Sequence, residues 1–103
     1  MEYAIDKPLS PKQATALINA IPQYADRTIQ LTDHCQKRML ERGFTLNDLL
    51  MLLSNGVVKS SPERDETHGH YKYKVEGPTV DEDEAVAITV ILGPRSVRVL
   101  SIY

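Results

Sequence analysis

Two groups of side chains in this 103-residue chain combine residue types and spacings suited to acid–base or phosphate chemistry. The first is His70, Lys72 and Lys74, which alternate with Tyr71, Tyr73 and Val75. In an extended strand such alternation puts one set on each face, so the His and both Lys side chains share a side. The second is His34, Arg38 and Arg42, spaced four apart within Thr32–Gly43. On a helix that spacing gathers them on one side, with Cys35 and Met39 on another. Arg95, Arg98 and Tyr103 near the end of the chain complete the set. Cleaving a phosphodiester without a metal requires a group that takes a proton, a group that gives one, and cations for the charge that develops between them. His, Tyr, Lys and Arg fill those roles.

Each candidate has a structural alternative. Arg38 and Arg42 are as well suited to pairing with local acids such as Glu41, and His34 to bonding a nearby carbonyl. For this trio the structural role is the preferred reading. On an edge strand, lysines such as Lys72 and Lys74 also discourage aggregation. Arg98 joins their face if the strand register allows. Tyr103 has the same parity as Val97 and Val99, which makes it a candidate core ring. Asp65, Glu66, His68 and His70 lie close together, but without further ligands at metal spacing no metal site is expected, nor any cofactor. Cys35 falls among apolar positions of a short helix and reads as a small core residue. If exposed, its place in the first helical turn would make it reactive.

The elements that must position these groups are well punctuated. Ser10-Pro11-Lys12-Gln13 is a capping-box start, and Ala14, Leu17, Ile18 and Ile21 form one apolar stripe ended by Pro22. Arg27–Leu31 alternates as a short strand. Thr32 or Asp33 caps the helix that carries His34, and Gly43 ends it. Thr45–Asp48 caps a second, leucine-rich helix whose stripe is read as Leu46, Leu49, Leu50 and Leu53, widened by Met51 and Leu52 so that it packs on more than one side, and ended by Ser54-Asn55-Gly56. On that reading Leu50→Ala should cost about 2–5 kcal/mol. The period then changes from 3.6 to 2. Strands are expected at Val57–Ser61, ended by Pro62, at His70–Glu76, ended by Gly77-Pro78, at Ala85–Leu92 and at Ser96–Tyr103. Glu63–Gly69 and Asp81–Glu84 read as charged turns. Helices first and strands last give one α+β domain over 1–103: an N-terminal helix and a short helical hairpin packed on one face of a four- to five-stranded, mainly antiparallel sheet.

Composition narrows the function classes. The net charge is −2, and residues 75–84 hold five acids and no base. Such a chain does not bind nucleic acid by a general basic field, so any such contact must be a local patch. One cysteine rules out an internal disulfide, and no apolar run is long enough to span a bilayer. With no apolar segment of signal-peptide length in Met1–Asp6, a cytoplasmic setting without membrane contact is expected.

The run T-D-H-x-x-x-R-M-x-E-R-G over Thr32–Gly43, followed by an apolar helix ending at Asn55-Gly56, resembles the family catalogued as domain of unknown function 4258. Pro62, Tyr73 with Gly77, the apolar strand Ala85–Leu92 and the closing Ile102-Tyr103 fit the same pattern. Pro8-Leu9-Ser10-Pro11 is a familiar companion, so the resemblance is expected to span nearly all of the chain. The layout of two helices and an antiparallel sheet is also similar to small bacterial toxins of the RelE and ParE type, many of which cleave messenger RNA at the ribosome. That analogy implies an endoribonuclease or translation inhibitor, with His70, Lys72, Lys74 and Tyr103 as catalytic candidates and His34, Arg38, Arg42 and Arg98 as RNA contacts. It further implies RNA or the ribosome as target and an antitoxin-like protein as partner. A non-catalytic protein-interaction module is the competing reading.

Overall fold

The computed structural model describes residues 7–65, 69–81 and 83–103. Met1–Asp6, Glu66, His68 and Glu82, which entered the readings above, lie outside the described residues. Three helices and six strands follow in the order α1 (Pro11–Ala20), β1 (Thr28–Leu31), α2 (Asp33–Arg42), α3 (Leu46–Asn55), β2 (Val57–Val58), β3 (Glu63–Arg64), β4 (Tyr71–Pro78), β5 (Glu84–Gly93) and β6 (Ser96–Ile102). A single 3-10 turn, Ile21–Gln23, closes α1 around Pro22.

The sheet runs β1-β6-β5-β4-β2, with β3 also pairing with β4. β4, β5 and β6 form an antiparallel meander, and β1 lies parallel to β6. The architecture is thus α+β, with the helices on a mixed, mainly antiparallel sheet. α3 packs over β4 and β5, α1 packs on α3 and β2, and α2 lies against β6.

All three helix starts are capped by side chains. Ser10 and Thr45 make full capping boxes with Gln13 and Asp48, and the Thr32 hydroxyl accepts from the Cys35 amide. Gly43 ends α2 at φ 63°, a left-handed conformation that other residues adopt at a cost. Asn19 of α1 donates to the carbonyls of Leu53 and Gly56, and the Thr15 hydroxyl accepts from the Val58 amide. α1 thereby fastens the end of α3 and the start of β2.

The core is built from Ile18, Ile21, Leu49, Leu52 and Leu53 above the sheet residues Val75, Ala87, Val97, Val99 and Ile102. The leucine stripe is therefore rotated from the expected one: Leu49, Leu52 and Leu53 are fully buried, Leu50 is partly exposed and Leu46 is 54% exposed. The reason is the approach of α3 to β4. A Cβ on Gly56 would lie 2.5 Å from the Leu52 carbonyl oxygen and 2.6 Å from Val75 Cγ1, and one on Gly77 would lie 2.9 Å from Gly56 Cα. The helix and strand meet where neither glycine carries a side chain, and that contact turns Leu52 toward the sheet.

The strands depart from expectation in several places. β4 runs through Gly77 and Pro78, because its pairing with β5 continues to Glu84 and Pro78 needs no amide there. β2 stops at Val58, and Glu63–Arg64, expected as turn, pairs with Lys72 and Tyr71 as β3. At the C-terminus the β5–β6 register slips: Thr89 pairs with Val99 but Ile88 pairs with Ser101. Leu100 is the extra residue of this bulge, which inverts the alternation beyond it. Ile102 is consequently fully buried, and Tyr103, expected as a core ring, is 56% exposed.

Candidate functional site

The helices cover one face of the sheet, so chemistry that needs access to solvent falls to the other. On β4, burial of Tyr73 and Val75 under the helices forces Lys72 and Lys74 onto the open face. On β6, burial of Val97 and Val99 does the same for Arg98. Register then decides which of them are neighbours. Lys72 pairs with Val90, Val90 with Arg98, and Arg98 with Gln30 of β1. These four residues form one row across four strands. With strands about 4.8 Å apart, the Lys72 and Arg98 backbones stand about 10 Å from each other across Val90.

Val90 is only 3% exposed, although it faces away from the helices and lies outside the main core cluster. Lys72 and Arg98 flank it on both sides in the row, each with an aliphatic stem of the kind that covers apolar surface. Gln30 fixes the Arg98 guanidinium: Nε and Nη2 donate to Gln30 Oε1 at 3.0 and 2.9 Å. Among the described residues Nη1 of Arg98 has no hydrogen-bond partner. Lys74 sits one row further along, opposite Ile88. Acids frame the patch, with Glu63 opposite Lys72 and Glu76 two residues beyond Lys74, and no salt bridge joins Lys72 to Glu63. His70 precedes β4 with the same parity as Lys72 and is exposed, and its carbonyl accepts from the Asp65 amide.

Tyr103 is placed elsewhere. Its backbone pairs with Val86, which is opposite Glu76. Six residues of β4 thus separate its row from that of His70, about 20 Å along the strand. One phosphodiester cannot meet both groups. Lys72, Arg98 and Gln30 are brought together, with Lys74 and His70 to either side of their row, and Tyr103 stands at the far corner.

The three residues of the α2 trio stand in different settings. Arg38 is half-buried; its Nε donates to the Ile102 carbonyl at 3.4 Å and its guanidinium lies 6.0 Å from the Tyr103 ring centroid. It pairs with a strand carbonyl rather than with Glu41. Thr32 serves the same strand: its amide donates to the Val99 carbonyl and its hydroxyl to that of Leu100. β1 covers only the first half of the β6 edge, and these α2 groups satisfy the carbonyls of the second half. Arg42 lines a small cleft of about 60 Å³ with Asp48, Asp81 and Asp83. Three carboxylates there oppose phosphate binding. His34 is exposed on the helix surface.

Asp48 is the most constrained acid. Its Oδ2 accepts from the Thr45 amide and hydroxyl at 2.8 and 3.0 Å, and its Oδ1 accepts from the Val80 amide at 3.0 Å. The Thr45 amide bond is the main cause that holds this carboxyl below the ordinary aspartate range, against partial burial and with help from Val80. Cys35 is fully buried and its thiol is pushed up by burial, so it is no ready nucleophile. Burial likewise raises the Tyr73 phenol, whose oxygen accepts from the Leu9 amide at 2.9 Å. Among the described residues no group of three or more His, Cys, Asp or Glu side chains is placed to hold a metal ion.

Two residues of this geometry have partners that the sequence does not reveal. Gln30 could have been found from its parity opposite Ile29 and Leu31, but its partner could not, because the parallel pairing of β1 with β6 leaves no local signal. Asp48 was visible as a cap, whereas its bond to Val80 spans 32 residues.

Residues 31–103 match the family described as Domain of unknown function (DUF4258). The match leaves out α1 and all of β1 except Leu31, and so covers less of the chain than the sequence resemblance suggested. No curated protein and no solved structure matches the chain.

Proposed function

From the premise that the chain belongs to the DUF4258 family, we propose that it is a toxin-like, RNA-directed protein of the cytoplasm that grips RNA on its open sheet face. The observation that carries this reading is the row Lys72–Val90–Arg98–Gln30, which sets two cations from different strands on either side of an aliphatic floor. Lys72, Lys74 and Arg98 hold successive backbone phosphates, with Arg98 oriented by Gln30. His70, at the end of the same face, is the group that exchanges a proton with the RNA 2′-hydroxyl or the leaving oxygen. Tyr103 takes no part in that step. The helices do not reach this face, so a long RNA can lie across it, and cleavage or occlusion of a message would each inhibit translation.

The decisive experiment titrates single-stranded RNA against the wild-type protein and a Lys72→Ala, Lys74→Ala, Arg98→Ala variant over a range of salt. Binding should weaken as salt rises, with a shallower slope for the variant. Expression should arrest growth, and both the triple variant and His70→Ala should relieve it. Absence of RNA binding at low salt, together with normal growth at high soluble expression, would overturn the proposal.

A second reading, a non-catalytic protein-interaction module, is favoured by the aliphatic character of the same face. Val86, Ile88 and Leu100 are only half-buried there. It predicts no cleavage of RNA by purified protein and a stable complex with a protein partner.

A further inference from the structure

The two edges of the sheet are treated differently. At the β4 edge, two-residue strands β2 and β3 cover part of the strand, and the chain between them carries Lys59 and Pro62. Those are common devices against unwanted strand pairing. At the other edge β1 reads Thr28-Ile29-Gln30-Leu31, with no charge, no proline and no bulge.

Its hydrogen-bonding groups alternate in direction. The Thr28 amide donates to the Arg95 carbonyl and the Thr32 amide to that of Val99, both toward β6. The amides of Ile29 and Leu31 therefore aim outward. The Leu31 carbonyl confirms the direction, because it accepts from the Gln36 side chain on the outer side. Among the described residues nothing pairs with the outward amides of Ile29 and Leu31.

A groove of about 310 Å³ runs beside this edge, lined by Ala25, Arg27, Ile29, Leu46 and Leu50. Leu46, at the first position of α3, is more than half exposed on its wall. Among the described residues Arg27 is the one charged member of the lining. The nearby Arg95 is already neutralised by Asp26 at 2.7 Å, and Arg27 bonds only the Tyr24 carbonyl, which leaves its charge uncompensated.

We propose that the outer edge of β1 receives an extended segment of a partner protein as an added strand. Main-chain bonds to Ile29 and Leu31 supply affinity. Alternate apolar side chains of the segment fill the groove against Ile29, Leu46 and Leu50, and an acidic residue of the segment meets Arg27. The segment adds β-structure without covering the Lys72–Arg98 row, so the proposal is independent of RNA binding.

The test pans a displayed library of short random peptides against the folded protein and titrates an enriched peptide with amide hydrogen exchange as readout. Enriched peptides should alternate apolar residues and carry an acid, and they should slow exchange at Ile29 and Leu31. Leu46→Asp should weaken binding about tenfold, and Arg27→Glu should do the same for acidic peptides while both variants melt near the wild type. Failure to enrich such peptides, or binding that leaves the Ile29 and Leu31 amides unchanged, would overturn the proposal. So would slow exchange of those amides in the free monomer, since the edge would then be filled from within the chain. A dimer dissociated by Leu46→Asp would overturn it in favour of a second copy.

Discussion

Replacing Asp48 tests whether the junction between α3 and the β4–β5 connection is built as described. Its two oxygens serve three donors, the Thr45 amide, the Thr45 hydroxyl and the Val80 amide, and the residue is only 7% exposed. Asp48→Ala deletes the acid of the capping box, worth about 1 kcal/mol. It also deletes a charge-assisted bond across 32 residues, a kind worth about 1.5–3 kcal/mol. Together these give a loss of about 2.5–4 kcal/mol, which for a chain of this length is a fall of about 10–30 °C in Tm. Asp48→Asn keeps the shape and one acceptor oxygen, so it should lose about half as much.

The pH dependence supplies the sharper check. The folded carboxyl is held below its ordinary value, so its contribution is fully present above the unfolded aspartate pKa of about 3.9. It is lost as pH falls through the lower folded value. In urea unfolding, the gap between wild type and Asp48→Asn should be constant from neutral pH to about 5 and shrink below about 4. A gap that stays constant through pH 3, or an Ala variant within about 0.5 kcal/mol of wild type, would refute the assignment.

Other perturbations probe the rest of the fold. Gly56→Ala should cost about 1–3 kcal/mol by forcing a methyl into Leu52 and Val75, read as a lower urea midpoint with the same slope. Leu53→Ala should cost about 2–5 kcal/mol, and Leu50→Ala distinctly less because Leu50 lines an open groove; equal losses would mean that the helix is rotated back to the stripe read from sequence. Cys35 should resist a thiol reagent in native buffer and react only on unfolding, since it is fully buried. Arg38→Ala should lower stability by about 1 kcal/mol through the Ile102 carbonyl, yet leave RNA affinity unchanged; a drop in affinity with the fold intact would restore α2 to the binding surface.

Local signals carried most of the architecture. Ser10, Thr32 and Thr45 as caps, Gly43 as a stop, and the alternation about Tyr73 and Val97 each depend on neighbours within a few residues, and the structure keeps them all. What sequence could not show were the contacts that depend on distant partners. The stripe on α3 was misread because the Gly56–Gly77 approach, not the count of leucines, fixes its rotation. Tyr103 was misread because the bulge at Leu100 depends on what β5 presents opposite it. The cationic face was legible as a stripe on one strand. Its extension from Lys72 to Arg98 and Gln30 waited on register, and the even spacing of His34, Arg38 and Arg42 implied a unity that their tertiary neighbours dissolve.

α2 thus has a mechanical task set by the sheet. β1 is four residues long and β6 is seven, so one side of β6 would show open carbonyls beyond Val99. The chain leaves β1 at Thr32, which caps α2 and bonds β6 with the same hydroxyl. One turn and a half later Arg38 reaches Ile102. A longer β1 would have sealed the edge with backbone alone, but it would also have lengthened the unguarded outer edge. Turning into α2 seals β6 with side chains and leaves β1 short, with only two outward amides beside the Leu46 groove. The same turn sends α3 back across the helical face, which keeps the opposite face free for Lys72, Lys74 and Arg98. Edge and face thus meet at β1, where Gln30 turns its side chain to Arg98 while the backbone of Ile29 and Leu31 faces the outer edge.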